Sequence, residues 1–139
     1  AIDPKTETIH DLLIRVRDMI ISSCRAKEIT LIYDLPNKEL LPSKNLSPEQ
    51  RRDLWMLMKE ALSNSVKHSG CTELFVITLY DGEHIKIVIK DNGRGFNTSV
   101  TYNGRGLGTM KKRAAYLDAV LEFYSEPGKG TTIILNLRL

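Results

Sequence analysis

Asp91-Asn92-Gly93-Arg94-Gly95-Phe96, followed after a short interval by Gly104-Arg105-Gly106-Leu107-Gly108, is the stretch whose reading decides the fold. It comes off an apolar strand and runs into a helix, and it holds five of the nine glycines in the 139-residue chain. Glycine admits positive φ and lets backbone N–H groups come close to a ligand. A run of N–H groups ending at a helix N-terminus attracts anions. A polyphosphate is the first ligand this pattern suggests. Two familiar phosphate loops do not fit: the Gly-Lys-Ser/Thr of a P-loop is missing, and a dinucleotide fingerprint opens a βαβ unit instead of lying between a hairpin and a helix.

The flanks supply the elements. Ile9, Leu12, Leu13, Val16, Met19 and Ile20 recur at helical spacing and predict a helix over 8–23, with Thr6 and Thr8 as candidate caps. A short strand covers 29–33, and 34–46 is irregular, with Pro36, Asn37 and Pro42 as punctuation. Ser47-Pro48-Glu49-Gln50 is a capped helix start, and that helix runs to His68 before Ser69-Gly70 stops it. Strands over 73–80 and 84–90 flank the turn Asp81-Gly82-Glu83, a helix covers 109–117, and strands over 120–125 and 131–139 form a second hairpin. This α-β-α-β-β-α-β-β order predicts a two-layer α/β (α+β) sandwich. Its sheet is mixed and mostly antiparallel, of about five strands, with about three helices on one face.

Composition sets limits. Hydrophobic residues make up 42% and charged residues 27%, and the net charge of +3 is dispersed, which argues against a nucleic-acid partner. Cys24 and Cys71 form neither a metal spacing nor a disulfide framework, the pattern of a reduced, cytoplasmic domain. No apolar run approaches the roughly 18 residues of a membrane span. The chain opens on Ala1 without an initiator Met, as expected of a piece of a longer protein.

Candidate chemistry sits on the second helix and on the strand before the glycines. Leu54, Leu57, Met58, Ala61, Leu62 and Ser65 form the core stripe of that helix, and Glu60, Asn64, Lys67 and His68 share a neighbouring sector. Glu60, Asn64 and His68 follow one another by one turn. An amide oxygen is a hard ligand for Mg²⁺, and a lysine with a histidine suits phosphate oxygens; the alternative is a solvated helix face. Asp91 continues the inward parity of Ile85, Ile87 and Ile89, so its carboxylate needs a donor. That donor is an exocyclic amine of a ligand such as adenine, or the backbone of Gly93 or Gly95 in a turn.

These residues carry a resemblance. Glu60-Ala61-Leu62-Ser63-Asn64-Ser65-Val66-Lys67-His68 resembles the asparagine box of the GHKL ATPase superfamily, which includes gyrase, chaperone, histidine kinase and mismatch-repair ATPases. Asp91 to Phe96 resembles its first glycine box, Gly104 to Gly108 its second, and Gly130-Thr131 its last. The wording is most similar to the catalytic domain of bacterial sensor histidine kinases of the nitrate-sensor and DesK-like class. The resemblance implies the Bergerat fold over 26–139, with 1–25 as a connecting segment and first helix of the same domain.

By position it assigns Mg²⁺ to Asn64, with Glu60 as base or outer-shell residue. It assigns the adenine amine to Asp91, aided through water by Thr131, and phosphate neighbours to Lys67 and His68. Gly93, Gly95 and Phe96 shape the pocket and the base of the lid. Gly104, Arg105, Gly106, Leu107 and Gly108 bring backbone amides to the phosphates. The implied activity is transfer of the γ-phosphoryl group of Mg-ATP to a histidine on a dimerisation domain outside this chain, with a response regulator downstream. The implied assembly is a monomer for the isolated domain and a homodimer for the full-length protein, which is cytoplasmic in this part and open to a membrane anchor elsewhere. His10-Asp11 has the look of an acceptor signature, but it lies too near Asn64 to leave room for a helical hairpin. The lid, Phe96 to Asn103, is only eight residues long, which predicts weak, reversible nucleotide binding. The competing readings are an anti-sigma-type serine kinase with the same pocket and a non-catalytic nucleotide-binding module.

Overall fold

The computed structural model describes residues 6–97 and 107–139. Helix α1 (Ile9–Ala26) leads into strand β1 (Thr30–Asp34). A 3-10 turn (Lys38–Leu40) precedes helix α2 (Pro48–His68). Strands β2 (Glu73–Tyr80) and β3 (His84–Asp91) come next, then helix α3 (Leu107–Tyr116) and strands β4 (Val120–Ser125) and β5 (Thr131–Arg138). One sheet holds all five strands in the order β1-β2-β3-β5-β4. β1 and β2, joined through α2, are parallel, and every other pair is antiparallel. The expected mixed, mostly antiparallel sandwich of five strands and three helices is what forms.

Local chemistry explains the boundaries. Thr8 caps α1: its hydroxyl accepts the Asp11 amide at 3.3 Å, and the Asp11 carboxylate accepts the Thr8 amide at 3.2 Å. Ser47 and Gln50 close the same reciprocal box at α2, at 3.1 and 2.8 Å. α1 runs three residues past its expected end, to Ala26; the chain reverses there with Glu28 at φ 57° and Ile29 N–H donating to Cys24 O at 2.8 Å. α3 begins at Leu107, two residues early, so Gly108 is inside the helix and not in the loop before it. In the first hairpin, Asp81 Oδ1 accepts the Glu83 and His84 amides at 2.9 and 2.6 Å.

The three helices lie on one face of the sheet. Leu12, Leu13 and Val16 of α1, Leu54, Leu57, Met58 and Leu62 of α2, and Met110 of α3 are fully buried against Leu74, Val76, Ile85, Ile87 and Leu135 of the sheet. Burying each such side chain contributes roughly 1.5–3 kcal/mol. Polar ties fix the helices to one another and to the sheet. Tyr33 Oη donates to Leu13 O at 2.6 Å, which holds β1 to α1. Arg15 makes two 3.0 Å bonds to the buried Glu7 and stacks 4.2 Å above the Trp55 ring of α2. Arg113 of α3 reaches the buried Asp53 of α2 at 3.2 Å.

Candidate nucleotide site

β3 is the central strand, and its last residue, Asp91, pairs with Thr131 of β5, which in turn pairs with Ser125 of β4. The three therefore share a row across the sheet and point to the helix-covered side. A cavity of about 270 Å³ opens above this row, between α2, the start of α3 and the segment after β3. It is at the small end for a ligand pocket, so a ligand of nucleotide size would seat only part of itself inside.

The cavity brings together residues far apart in sequence. Asn64 and His68 of α2 line it, as do Asp91, Gly95, Phe96, Leu107 and Thr131, all named from the sequence. Glu60, Lys67, Gly93 and Gly108 are not on its wall: Glu60 is half-buried and Lys67 exposed, each on α2. Gly104, Arg105 and Gly106, with most of the expected lid, lie outside the described residues.

Asp91 is almost fully buried, yet its carboxylate reaches the cavity. Oδ1 accepts the Gly93 amide at 2.9 Å and Oδ2 accepts the Ser65 hydroxyl at 2.8 Å. The two readings of this residue are therefore compatible: it closes the Asp-Asn-Gly turn and still has lone pairs to offer a ligand, since a carboxylate has about four acceptor sites. Ser65, expected only as part of the core stripe, is thus the tie between α2 and the end of β3. A serine inside an apolar stripe was the available signal. Behind it, Cys71 Sγ contacts Ser65 O at 3.4 Å; burial pushes this thiol up, opposed by the Ser69 hydroxyl and reinforced by Asp91.

The glycines of the first box have separate steric causes. A Cβ on Gly93 would stand 2.5 Å from the Cβ and carbonyl oxygen of Ser69, so the chain passes α2 closely there. Gly95 has φ +64°, and its Cβ would lie 2.0 Å from Glu126 O. The segment after β3 is in fact clasped by the β4–β5 turn. Gly128 N–H donates to Arg94 O at 2.6 Å and Phe96 N–H to Ser125 Oγ at 2.9 Å. Asn92 turns away from the cavity: its Oδ1 accepts the Thr72 and Glu73 amides, both at 2.9 Å. Gly108 is the contrast, because a Cβ there would meet nothing within 4 Å among the described residues.

An inward aspartate ends the central strand of this sandwich and an asparagine-bearing helix stands beside it. Residues 49–139, more than half of the chain, match the family of histidine kinase-, DNA gyrase B- and HSP90-like ATPases, and the chain belongs to it. The relatives narrow the class. The sensor histidine kinase LiaS of Bacillus subtilis is 37% identical over 81 residues, covering 58% of this chain and 22% of LiaS. The nitrate/nitrite sensor protein NarQ of Escherichia coli is 33% identical over 101 residues, 70% of this chain and 18% of NarQ. The chain thus spans about a fifth of the length of these relatives. In fold it matches the catalytic domain of histidine kinase ThkA with a TM-score of 0.76 at 12% identity, covering 95% of this chain and 94% of that one.

Proposed function

We propose that this chain is the ATP-binding catalytic domain of a two-component sensor histidine kinase, donating the γ-phosphoryl group of Mg-ATP to a histidine on a separate dimerisation domain. The observation that carries the reading is the buried Asp91 carboxylate, held by Ser65 and Gly93 and still lining a cavity that Asn64 and His68 also line. In a recess of about 270 Å³ with mixed polar and apolar walls, a carboxylate with spare lone pairs favours a base that turns an amine toward it; adenine carries its amine at C6, where guanine and hypoxanthine carry a carbonyl oxygen that the carboxylate repels.

Residues then take roles by position. Asp91 accepts the adenine amine, with Thr131 beside it on β5. Gly95 and Phe96 form the base of the lid, Gly93 the close passage to α2. The backbone amides of Leu107 and Gly108 at the start of α3 take the phosphates, as do those of Gly104, Arg105 and Gly106 by their match to the second glycine box; a Cβ on Gly108 would meet nothing within 4 Å among the described residues. Lys67 and His68 lie at the C-terminal end of α2 on the phosphate side. Magnesium fits this donor set only as a phosphate-borne ion: among the described residues no three His, Cys, Asp or Glu side chains converge, so Asn64 would supply one oxygen, Glu60 an outer contact, and the nucleotide the rest. Such an ion neutralises charge on the transferring phosphoryl group.

The partners of this reading are ATP and ADP, the phosphoacceptor domain and, through it, a response regulator; the isolated domain is a monomer and the full-length kinase a homodimer. Residues 1–25 belong to the same domain as a connection and first helix, which the buried contacts of α1 support. The domain is cytoplasmic; among the described residues no helix is long and apolar enough to cross a membrane.

The test is labelling with γ-labelled ATP of this chain mixed with a histidine-bearing dimerisation domain of a sensor kinase. Acid-labile, base-stable phosphohistidine, lost in Asn64→Asp, is the expected result. Acid-stable phosphoserine would point to a serine kinase, and no transfer despite nucleotide binding to a non-catalytic module.

A further inference from the structure

Ser125 does not line the cavity, yet it touches two groups that do. Its hydroxyl accepts the Phe96 amide at 2.9 Å and stands 2.8 Å from Thr131 Oγ1 and 3.0 Å from Gly130 O. A hydroxyl has one proton and two lone pairs. The Phe96 amide takes one lone pair, and a carbonyl oxygen can only accept. Ser125 donates its proton to Gly130 O, so the 2.8 Å contact is a bond that Thr131 donates, and Thr131 shows the cavity lone pairs alone. The half-buried Ser125 hydroxyl therefore sets the polarity that Thr131 presents beside the Asp91 carboxylate, which only accepts when ionised.

We propose that Ser125 is a positioning residue for base recognition: it fixes the Thr131 hydroxyl for the base edge and, through the same oxygen, anchors the first residue of the lid at Phe96. The inference rests on the nucleotide reading above. The adenine C6 amine has two protons to give to acceptors, and hypoxanthine puts an acceptor oxygen in the same place, so a wall of two acceptors, Asp91 and Thr131, discriminates between them. A site left with mismatched polar groups rejects the wrong base strongly. With Ser125 shortened to alanine, the Thr131 hydroxyl loses its partner and turns freely, and discrimination falls.

The experiment is calorimetric titration of the chain with Mg-ADP and Mg-IDP, for the wild type, Ser125→Ala, Thr131→Val and the double variant. The ratio of the two affinities reports base selectivity independently of the fraction of molecules folded, because both titrations see only folded protein. Ser125→Ala is expected to lower the ADP preference roughly five- to tenfold, the scale of one misdirected hydrogen bond. In the Thr131→Val background the same change is expected to alter the ratio by less than about twofold, since a residue acting through its neighbour is non-additive with it. A ratio unchanged in Ser125→Ala, or an equal fall in both backgrounds, would overturn the proposal. A wild-type chain that binds neither nucleotide would overturn the nucleotide reading itself, and this inference with it.

Discussion

Gly108 and Gly130 stand in opposite steric situations, and alanine at each separates a ligand role from a packing role. A Cβ on Gly130 would lie 2.1 Å from Asp91 O, at φ +75°. Gly130→Ala is expected to cost at least about 2 kcal/mol of stability, read from the urea midpoint, because clash and backbone strain add. Gly108 lies in the first turn of α3 with space beside it. Gly108→Ala leaves stability unchanged or raises it by up to about 1 kcal/mol, alanine being the better helix former. On the proposed phosphate role it is expected to weaken Mg-ADP several-fold in calorimetric titration; an unaltered affinity, or a thermal midpoint that drops, would contradict this. Strand parity was enough to turn Asp91 inward, and helical spacing enough to group Asn64 with His68, while Thr131 was singled out by its match to the last box. The hydroxyls of Ser65 and Ser125 were not legible as site-forming, because serine carries no periodicity of its own and their partners are 26 and 6 residues away.

At the scale of elements, two polar contacts set helix positions. Burial by itself would raise the Asp11 carboxyl, but the Thr8 amide, Lys38 and the Thr8 hydroxyl outweigh it and hold it below its ordinary value of 3.8. A carboxyl lowered on folding stabilises the fold above its unfolded pKa, and that contribution disappears as pH falls through the folded value. Asp11→Asn is therefore expected to lose about 0.5–1 kcal/mol near neutral pH, and the gap to the wild type should close in acid below the carboxylate range. Equal gaps at both pH values would exclude the charge as the cause. The Asp53–Arg113 pair seats α3 on α2, and Arg113→Leu leaves a buried carboxylate short of its closest partner. A loss of about 2 kcal/mol in chemical denaturation is expected, recovered in part by adding Asp53→Leu. Capping residues marked the start of α2 at Ser47, and Asp81-Gly82 marked the first hairpin. The start of α3 was placed late because glycines were read as loop, whereas the first turn of a helix tolerates them.

The whole molecule is held by pairings that sequence periodicity does not encode. Alternation assigns a strand its faces, but not its neighbours: nothing in Thr30–Asp34 marks it as the parallel partner of Glu73–Tyr80, or places β5 between β3 and β4. That order brings Ser125, Thr131 and Asp91 into one row, and with it the site. Both cysteines are buried, Cys71 beside α2 and Cys24 on the wall of a second cavity between α1 and β1. Burial pushes the Cys24 and Cys71 thiols up, so neither forms thiolate readily in the folded state. Alkylation of Cys71 at about pH 8 should be at least about a hundredfold slower in the native protein than in denaturant, since it requires local opening; equal rates would mean that the packing of α2 on the start of β2 is not closed.

The central claim, that the recess above Asp91 recognises adenine, is tested most directly by calorimetric titration of the wild type and Asp91→Asn with Mg-ADP and Mg-GDP. Asparagine keeps an acceptor for Gly93 or Ser65 but places an amide donor where the amine must be received. The expected result is binding of Mg-ADP and not Mg-GDP by the wild type, weakened at least about tenfold in Asp91→Asn. Equal binding of the two nucleotides, or Mg-ADP affinity unaltered by the substitution, would contradict it.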